Sequence, residues 1–575
     1  MQREDHYPRE PPPLPQYDIS PDLRRLVLMF IGAMLINFLV AGSLAIGMRT
    51  IQTDVPIIKV DGIAQNVLFY ALLTAHGQVM FFGVVCVNTM WFGYYAISKW
   101  GRKPLSGMGW AKASFWLMEA AVILIFIAGL SGFGAGWYNL MPLTFLPGHP
   151  AVTWGSAAAI TFLVADVLVG VYLTIFCIVV FATLLRGKLP VGTQIFEYMH
   201  EKDRDKGDEH SLVKENKEAE SIEKEFTHQE NLPASVRWVS LIGINSWFPK
   251  KWRDVTPAVP IVCVAAFVTA LVQIIGNPGL FVQLASGFAS LQNPIASSNW
   301  LLTKNAWWFF AHPIVYFPLL LFLGGIYFLA PRYGKERIPF FKWNYRTWPF
   351  YLAFSVLVFS HHVFMDIPNP IWLQMMAQTA SLGIVWPSSM TIITVLVFTW
   401  RSKMTWNVTT RFFIAGIAGW MFGGFQGTET GMWGTDMYLH NTLSMVGHIH
   451  LILLMGPLLF AFGVIYAIVP DLVKKHMSKT LGEIHFWLTC FGGFGLAILF
   501  NVIGTEGAVR READIASAFH WAMPYLLFFA LLVGIAQFLL VYNFATTMRR
   551  KPTQSETEEY EKLHSQPTGE GITYT

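Results

Sequence analysis

The stretch "FSHHVFMDIPNP", residues 359–370, sets two adjacent histidines, His361 and His362, at the end of a long apolar run. An imidazole in hydrocarbon is costly unless it is paired or bound to something, so the surroundings of this pair decide how it is read. The chain has 575 residues, of which 54% are hydrophobic, 15% aromatic and only 13% charged. Its mean hydropathy is +0.45. That balance belongs to a polytopic membrane protein.

A membrane-crossing helix needs roughly 20 apolar residues, and on that rule the sequence predicts an all-α bundle of about 12 transmembrane helices. The expected spans are 24–50, 64–97, 113–139, 152–186, 257–285, 306–330, 348–365, 371–400, 409–427, 442–470, 480–503 and 518–546. The segments between them sort by charge. "SKWGRKP" (98–104), "PRYGKERIPFFKWNYR" (331–346), "RSKMTWNVTTR" (401–411), "PDLVKKHMSK" (470–479) and "MRRKP" (548–552) are basic and share one side with Arg24 and Arg25. The segments near 140–151, 286–305, 366–370 and 428–441 are almost free of Lys and Arg. Positive residues stay inside, so both termini are expected in the cytoplasm, with the cell membrane of a prokaryote as the location.

The organisation follows. Residues 1–20 read as a polar, Pro-rich tail without a cleavable signal peptide, and 21–186 carry the first four spans. Residues 187–256 form a charged cytoplasmic insertion, 257–546 carry spans five to twelve, and 547–575 are a polar tail. Within the insertion, 201–230 holds 11 acidic against 6 basic residues, the composition of a solvated linker. Cys86, Cys177, Cys263 and Cys490 fall singly in apolar segments, which argues for packing and against a disulfide framework or thiolate metal site. No internal repeat, phosphate-binding glycine loop or basic aromatic patch is apparent. The lipid bilayer is the expected partner, and nucleic acid is not.

Depth along the spans groups six histidines. His76 enters from the outer side about 12 residues into span two, His312 about 6 into span six, and His448 and His450 about 6 to 8 into span ten, while His361 and His362 close the outward-running span seven. All six fall in one layer of the outer half of the bilayer. On a helix, positions i and i+2 point about 200° apart, so His448 and His450 cannot readily serve one metal and imply two centres. His361 and His362 suit a shared small metal if the helix ends or distorts there, as Pro368 and Pro370 favour. His312 could supply the third nitrogen of a tris-imidazole site suited to copper. Tyr316, four residues after His312 and so on the same face, could deliver a proton and an electron to whatever the metal binds.

"HPIVY" at 312–316, "HH" at 361–362, "GHIH" at 447–450 and "AHG" at 75–77, in that order, resemble the catalytic subunit I of the haem–copper oxygen reductases. The resemblance covers nearly the whole chain except the tails and the 187–256 insertion. It implies two haems and one copper ion, CuB. His76 and His450 would be the axial ligands of a low-spin haem, and His448 the proximal ligand of a high-spin haem. His312, His361 and His362 would hold CuB, with His312 covalently linked to Tyr316. The implied activity is reduction of dioxygen to water, with electrons from the low-spin haem, proton uptake from the cytoplasm and outward pumping. Haems, copper and tyrosine together can supply four electrons at once. The implied partners are subunit II, small membrane subunits, and an electron donor that is cytochrome c, a small copper protein or quinol.

The branch is also expected from the residues. The largest branch has a glutamate where this chain has Ile314, and span eight has no lysine in its membrane part; both features resemble the B-type branch, whose single proton channel is built from hydroxyls and water. Tyr327, about 22 Å nearer the cytoplasm than His312, and Ser388 and Thr391 match that channel. On the outer side Arg510 and Arg511 break the positive-inside pattern, and haem propionates would explain them; Asp436 and His440 resemble the acid and imidazole beside the propionates of the high-spin haem. The other histidines (His6, His149, His200, His210, His228, His476, His485, His520 and His564) lie in tails, loops or near span ends and receive no role. Two other readings stay open: a nitric oxide reductase, against which Tyr316 and Ile314 speak, and a metal-free proton-coupled transporter.

Overall fold

The computed structural model describes residues 18–53, 63–136, 154–187, 233–249, 259–293, 299–334, 338–366 and 368–558. Most of the 187–256 insertion, both tails for most of their length, and His6, His149, His200, His210, His228 and His564 lie outside the described residues.

The architecture is all-α. Among the described residues, ten helices are long and apolar enough to cross a membrane: Pro21–Ile51, Gln65–Lys99, Met108–Leu130, Ser156–Leu185, Ile261–Gln292, Trp300–Tyr333, Ile371–Arg401, Leu443–Val473, Lys479–Thr505 and Ser517–Arg549. They correspond to expected spans one to six, eight, and ten to twelve. Two shorter or less apolar helices stand where spans seven and nine are expected. Phe341–Leu357 covers 17 residues and continues as a 3₁₀ helix, Val358–Val363. Val408–Thr430 is long enough, but its glycine-rich sequence is less apolar. Span six begins at Trp300 rather than near 306, because the Asn299 side chain caps it by accepting from the Leu302 amide at 3.0 Å.

Spans two and ten each contain a π-helical turn, Phe81–Val85 and His450–Leu458. In span ten Gly456 leaves helical geometry just before Pro457, whose missing N–H and ring prevent a regular ladder. Such turns shift the register of side chains and cluster at functional sites. Glycine brings backbones together around the histidines: a Cβ at Gly279 would lie 2.2 Å from Ala306 O, and one at Gly419 would lie 1.9 Å from Met455 O. These close approaches seat span five against the helix that delivers His312, and span nine against the π turn of span ten. Cys86, Cys177 and Cys263 are buried and Cys490 is half-buried, all as free thiols.

Candidate metal and cofactor centre

The expected distortion of span seven is present. Val358–Val363 is wound as a 3₁₀ helix, with about three residues per turn. His361 and His362 both turn inward, their ring centroids 4.4 Å apart. His312 stands at the junction of helices Trp300–Ala311 and Pro313–Leu329, and its Nδ1 lies 2.8 Å from His362 Nε2. Ligand atoms from His312, His361 and His362 all lie within 4.8 Å of one another. Three imidazole nitrogens converging like this suit a copper or zinc ion. His312 Nε2 is buried with no hydrogen-bond partner, and the Tyr316 ring lies 5.2 Å from the His312 ring.

Hydrogen bonds fix which nitrogens can bind a metal. The Ser381 hydroxyl donates to Ala377 O at 2.8 Å, so at 3.0 Å it accepts from His361 Nδ1–H and leaves the lone pair on Nε2. His76 Nδ1 faces Ala41 O at 2.8 Å, and His450 Nδ1 faces Val446 O at 2.7 Å. A carbonyl only accepts, so both Nδ1 atoms carry hydrogen and both Nε2 atoms are free to ligate. Trp308 stacks on His362, with centroids 3.9 Å apart and planes 6° from parallel. Lys304 bonds Asp366 Oδ1 at 2.8 Å and Asn305 donates to Asn369 at 2.9 Å, which pins the turn after His362 to the start of span six.

His76, His362, His448 and His450 line one cavity of about 1280 Å³, larger than the roughly 300–1,000 Å³ of ordinary small-molecule pockets. Gly427 leaves space for the His448 ring itself, since a Cβ there would lie 2.9 Å from His448 Cε1. The cavity's outer end is lined by Arg510 and Arg511 and by Arg49, which the sequence reading passed over. Arg49 is 6% exposed, bonds the Gln52 side chain and lies over the Phe500 ring at 5.0 Å. It was legible in principle, being one more arginine at an outer span end. The Arg510 amide donates to Asn441 O at 3.0 Å, beside His440, whose Nδ1 lies 2.9 Å from Asp436 Oδ2. The Asp436–His440 pair does not itself line the cavity.

Tyr327, Ser388 and Thr391 fall into one hydroxyl network with residues the sequence did not single out. Tyr327 donates to Asn344 Oδ1 at 2.5 Å, and Asn344 donates to Thr394 at 2.6 Å. Tyr351 lies 3.1 Å from Thr391 Oγ1, and Ser388 bonds the same phenol. His485, given no role from the sequence, is fully buried in span eleven, with Tyr466 OH 3.2 Å from its Nδ1.

A family model described as Cytochrome C and Quinol oxidase polypeptide I matches residues 25–199 and 234–533. The cytochrome c oxidase subunit 1 of Thermostichus vulcanus is 23% identical over 514 residues, covering 86% of this chain and 78% of that protein. The cytochrome c oxidase subunit 1 of a Synechocystis species is 24% identical over 507 residues, covering 86% of this chain and 77% of that protein. A solved structure described as a heme-copper terminal oxidase dimer superposes with a TM-score of 0.68 at 16% identity, covering 93% of this chain and 86% of that one, a likeness of fold. The chain belongs to the cytochrome c and quinol oxidase polypeptide I family and is a terminal oxidase subunit I of the haem–copper superfamily.

Proposed function

We propose that this subunit reduces dioxygen to water in the cell membrane with two haems and one copper ion, CuB, in the manner of the B-type branch. The observation that carries the reading is the convergence of His312, His361 and His362 within 4.8 Å beside a cavity lined by His76, His448 and His450. His76 and His450 would hold a low-spin haem through their free Nε2 atoms, His448 a high-spin haem, and the three converging histidines CuB. When bound, these groups supply the electron transfer and the oxygen chemistry.

The chain's own residues do the rest. Ser381 holds His361 in one tautomer, and the Trp308 face holds the His362 ring. Arg510, Arg511 and Arg49 would meet propionates at the outer end of the cavity with charge-assisted bonds, with Asp436 and His440 beyond them. Tyr316 would be joined to His312 and would give up a proton at its phenol oxygen. The Tyr327, Asn344, Thr391, Ser388 and Tyr351 hydroxyls and amide would bring protons from the cytoplasmic side, with others pumped outward. Subunit II and small membrane subunits would complete the enzyme.

The test is an optical spectrum of the purified complex, reduced and then exposed to carbon monoxide, with an iron and copper count. Two haems, only one reactive toward carbon monoxide, plus copper are expected. Two six-coordinate haems without copper would reject the reading, non-haem iron in place of copper would move the chain to nitric oxide reduction, and no metal at all would favour a transporter. A finer test is Ser381→Ala. Loss of such an outer-shell partner should weaken copper retention by about 10- to 100-fold against a chelator, with the haem spectrum unchanged.

A further inference from the structure

Span seven starts with helix Phe341–Leu357 on the side expected to be cytoplasmic, and its first turn carries Asn344, fully buried in the hydroxyl network. The Asn344 amide is held in one orientation. Its Oδ1 accepts from Tyr327, and its Nδ2 donates to Thr394 Oγ1 at 2.6 Å and to Phe340 O at 3.0 Å. The turn that bears it has little support of its own. Among the described residues no side chain caps this helix start, and Phe340 before it sits at φ 56°, a left-handed conformation that is uncommon for a residue with a Cβ. Contacts from elsewhere must hold it.

They come from one short segment, helix Ala234–Leu241 followed by the 3₁₀ turn Ile244–Trp247. Tyr345 OH donates to Ser240 O at 3.3 Å and accepts from the Val259 amide at 3.3 Å. Trp247 Nε1 donates to Arg346 O at 2.9 Å, and Arg346 Nε returns a bond to Ser246 O at 3.1 Å. The Arg346 guanidinium lies over two rings, 5.2 Å from Trp247 and 5.1 Å from Trp343, a favourable cation–π arrangement. Gly243, at φ 76°, lets the two backbones approach, since a Cβ there would stand 3.1 Å from Tyr345 O. The segment is tied down at its other end as well. Arg237 donates to Leu185 O at 3.0 Å and to Gly187 O, at the end of span four, and Trp238 packs on Phe267 with centroids 4.9 Å apart. Interfacial anchoring explains exposed tryptophans, but not hydrogen bonds aimed at two successive residues of one helical turn.

We infer that Trp247, with Tyr345 and Arg346, is a positioning residue for proton uptake. It acts through the first turn of span seven, holding the Asn344 amide where it orients the Tyr327 and Thr394 hydroxyls. The inference rests on the proton-path reading proposed above. Arg346 and Asn344 are two residues apart, about 3 Å along the helix, so a turn released at Arg346 moves at Asn344 too. A hydroxyl passes its proton only to a group within hydrogen-bond reach. Tyr327 has a single proton to give, and Asn344 Oδ1 is the acceptor that aims it. A displacement of about 1 Å made far from the chemistry can cost about 100-fold in rate. The brace therefore bears on the speed of proton delivery, with no contact to any of the six histidines required.

The experiment compares the purified wild-type complex with Trp247→Leu, Trp247→Phe, Tyr345→Phe and Tyr327→Phe. The readouts are oxygen uptake with an artificial donor in ordinary and heavy water, the rate of low-spin haem reduction, and the reduced and carbon monoxide spectra. Trp247→Leu should lower turnover at least about tenfold and raise the solvent isotope effect, because proton delivery becomes the slow step, while haem reduction and both spectra stay as in wild type. Trp247→Phe keeps a ring beside Arg346 but loses the N–H donor, and should fall in between. Tyr345→Phe deletes one hydroxyl without emptying its site, and should give a smaller loss of the same kind. Unchanged turnover in Trp247→Leu, or a loss with the wild-type isotope effect, would overturn the inference. If Trp247→Leu assembles without haem, Tyr345→Phe decides, and wild-type turnover and isotope effect there would overturn it. Tyr327→Phe should show the same signature as Trp247→Leu. If it does and Trp247→Leu does not, the inference falls and the proton path stands; wild-type behaviour of Tyr327→Phe would remove both.

Discussion

Tyr316→Phe should leave both haems in place and lower oxygen turnover by about 100-fold or more, the range lost when a positioned acid–base group is removed. The substitution deletes one oxygen atom from a half-buried ring. The ring itself, 5.2 Å from His312, still fills its place, so packing and stability should barely change. What disappears is the phenol proton beside the three histidines. The measurements are oxygen uptake with an artificial donor and the reduced spectrum of the same sample. Near-normal uptake would remove Tyr316 from the chemistry. A peptide map of wild type adds an independent readout, since a His312–Tyr316 link leaves the joined pair two hydrogens lighter than the separate residues.

The second large effect is expected at His362. His362→Ala removes the nitrogen that lies 2.8 Å from His312 Nδ1 and empties the slot beside Trp308. Outer-shell partners of a metal are worth about 10- to 100-fold in affinity, so losing a ligand itself should cost more, and copper should fall to background after dialysis. Iron should stay at two haems per complex, because His76, His448 and His450 sit on other spans. Retained copper with wild-type oxygen uptake would take His362 out of the site.

Much of this was written in the sequence. The spans were legible because a helix in lipid must be apolar for its whole length, and the histidines were legible because so apolar a background leaves few reasons for imidazole. Partial legibility has physical causes too. Tyr327 and Thr391 could be picked out as hydroxyls on neighbouring spans, but Asn344, Tyr351 and Thr394 complete their network from positions that look ordinary. Arg49 was missed because a single arginine at a helix end resembles any interface anchor. His485 was placed near a span end, where a histidine is unremarkable, yet the packing of spans nine to eleven buries it completely.

By itself, then, the sequence determined an all-α membrane bundle and the place of each imidazole and of the tyrosine along its own span, since these follow from spacing along single helices. Only the tertiary structure decided which nitrogens face one another, which carbonyl or hydroxyl fixes each tautomer, and which side chains share a cavity. Those depend on distances between helices far apart in the chain, set by glycine contacts, π turns and a 3₁₀ ending that no local periodicity encodes.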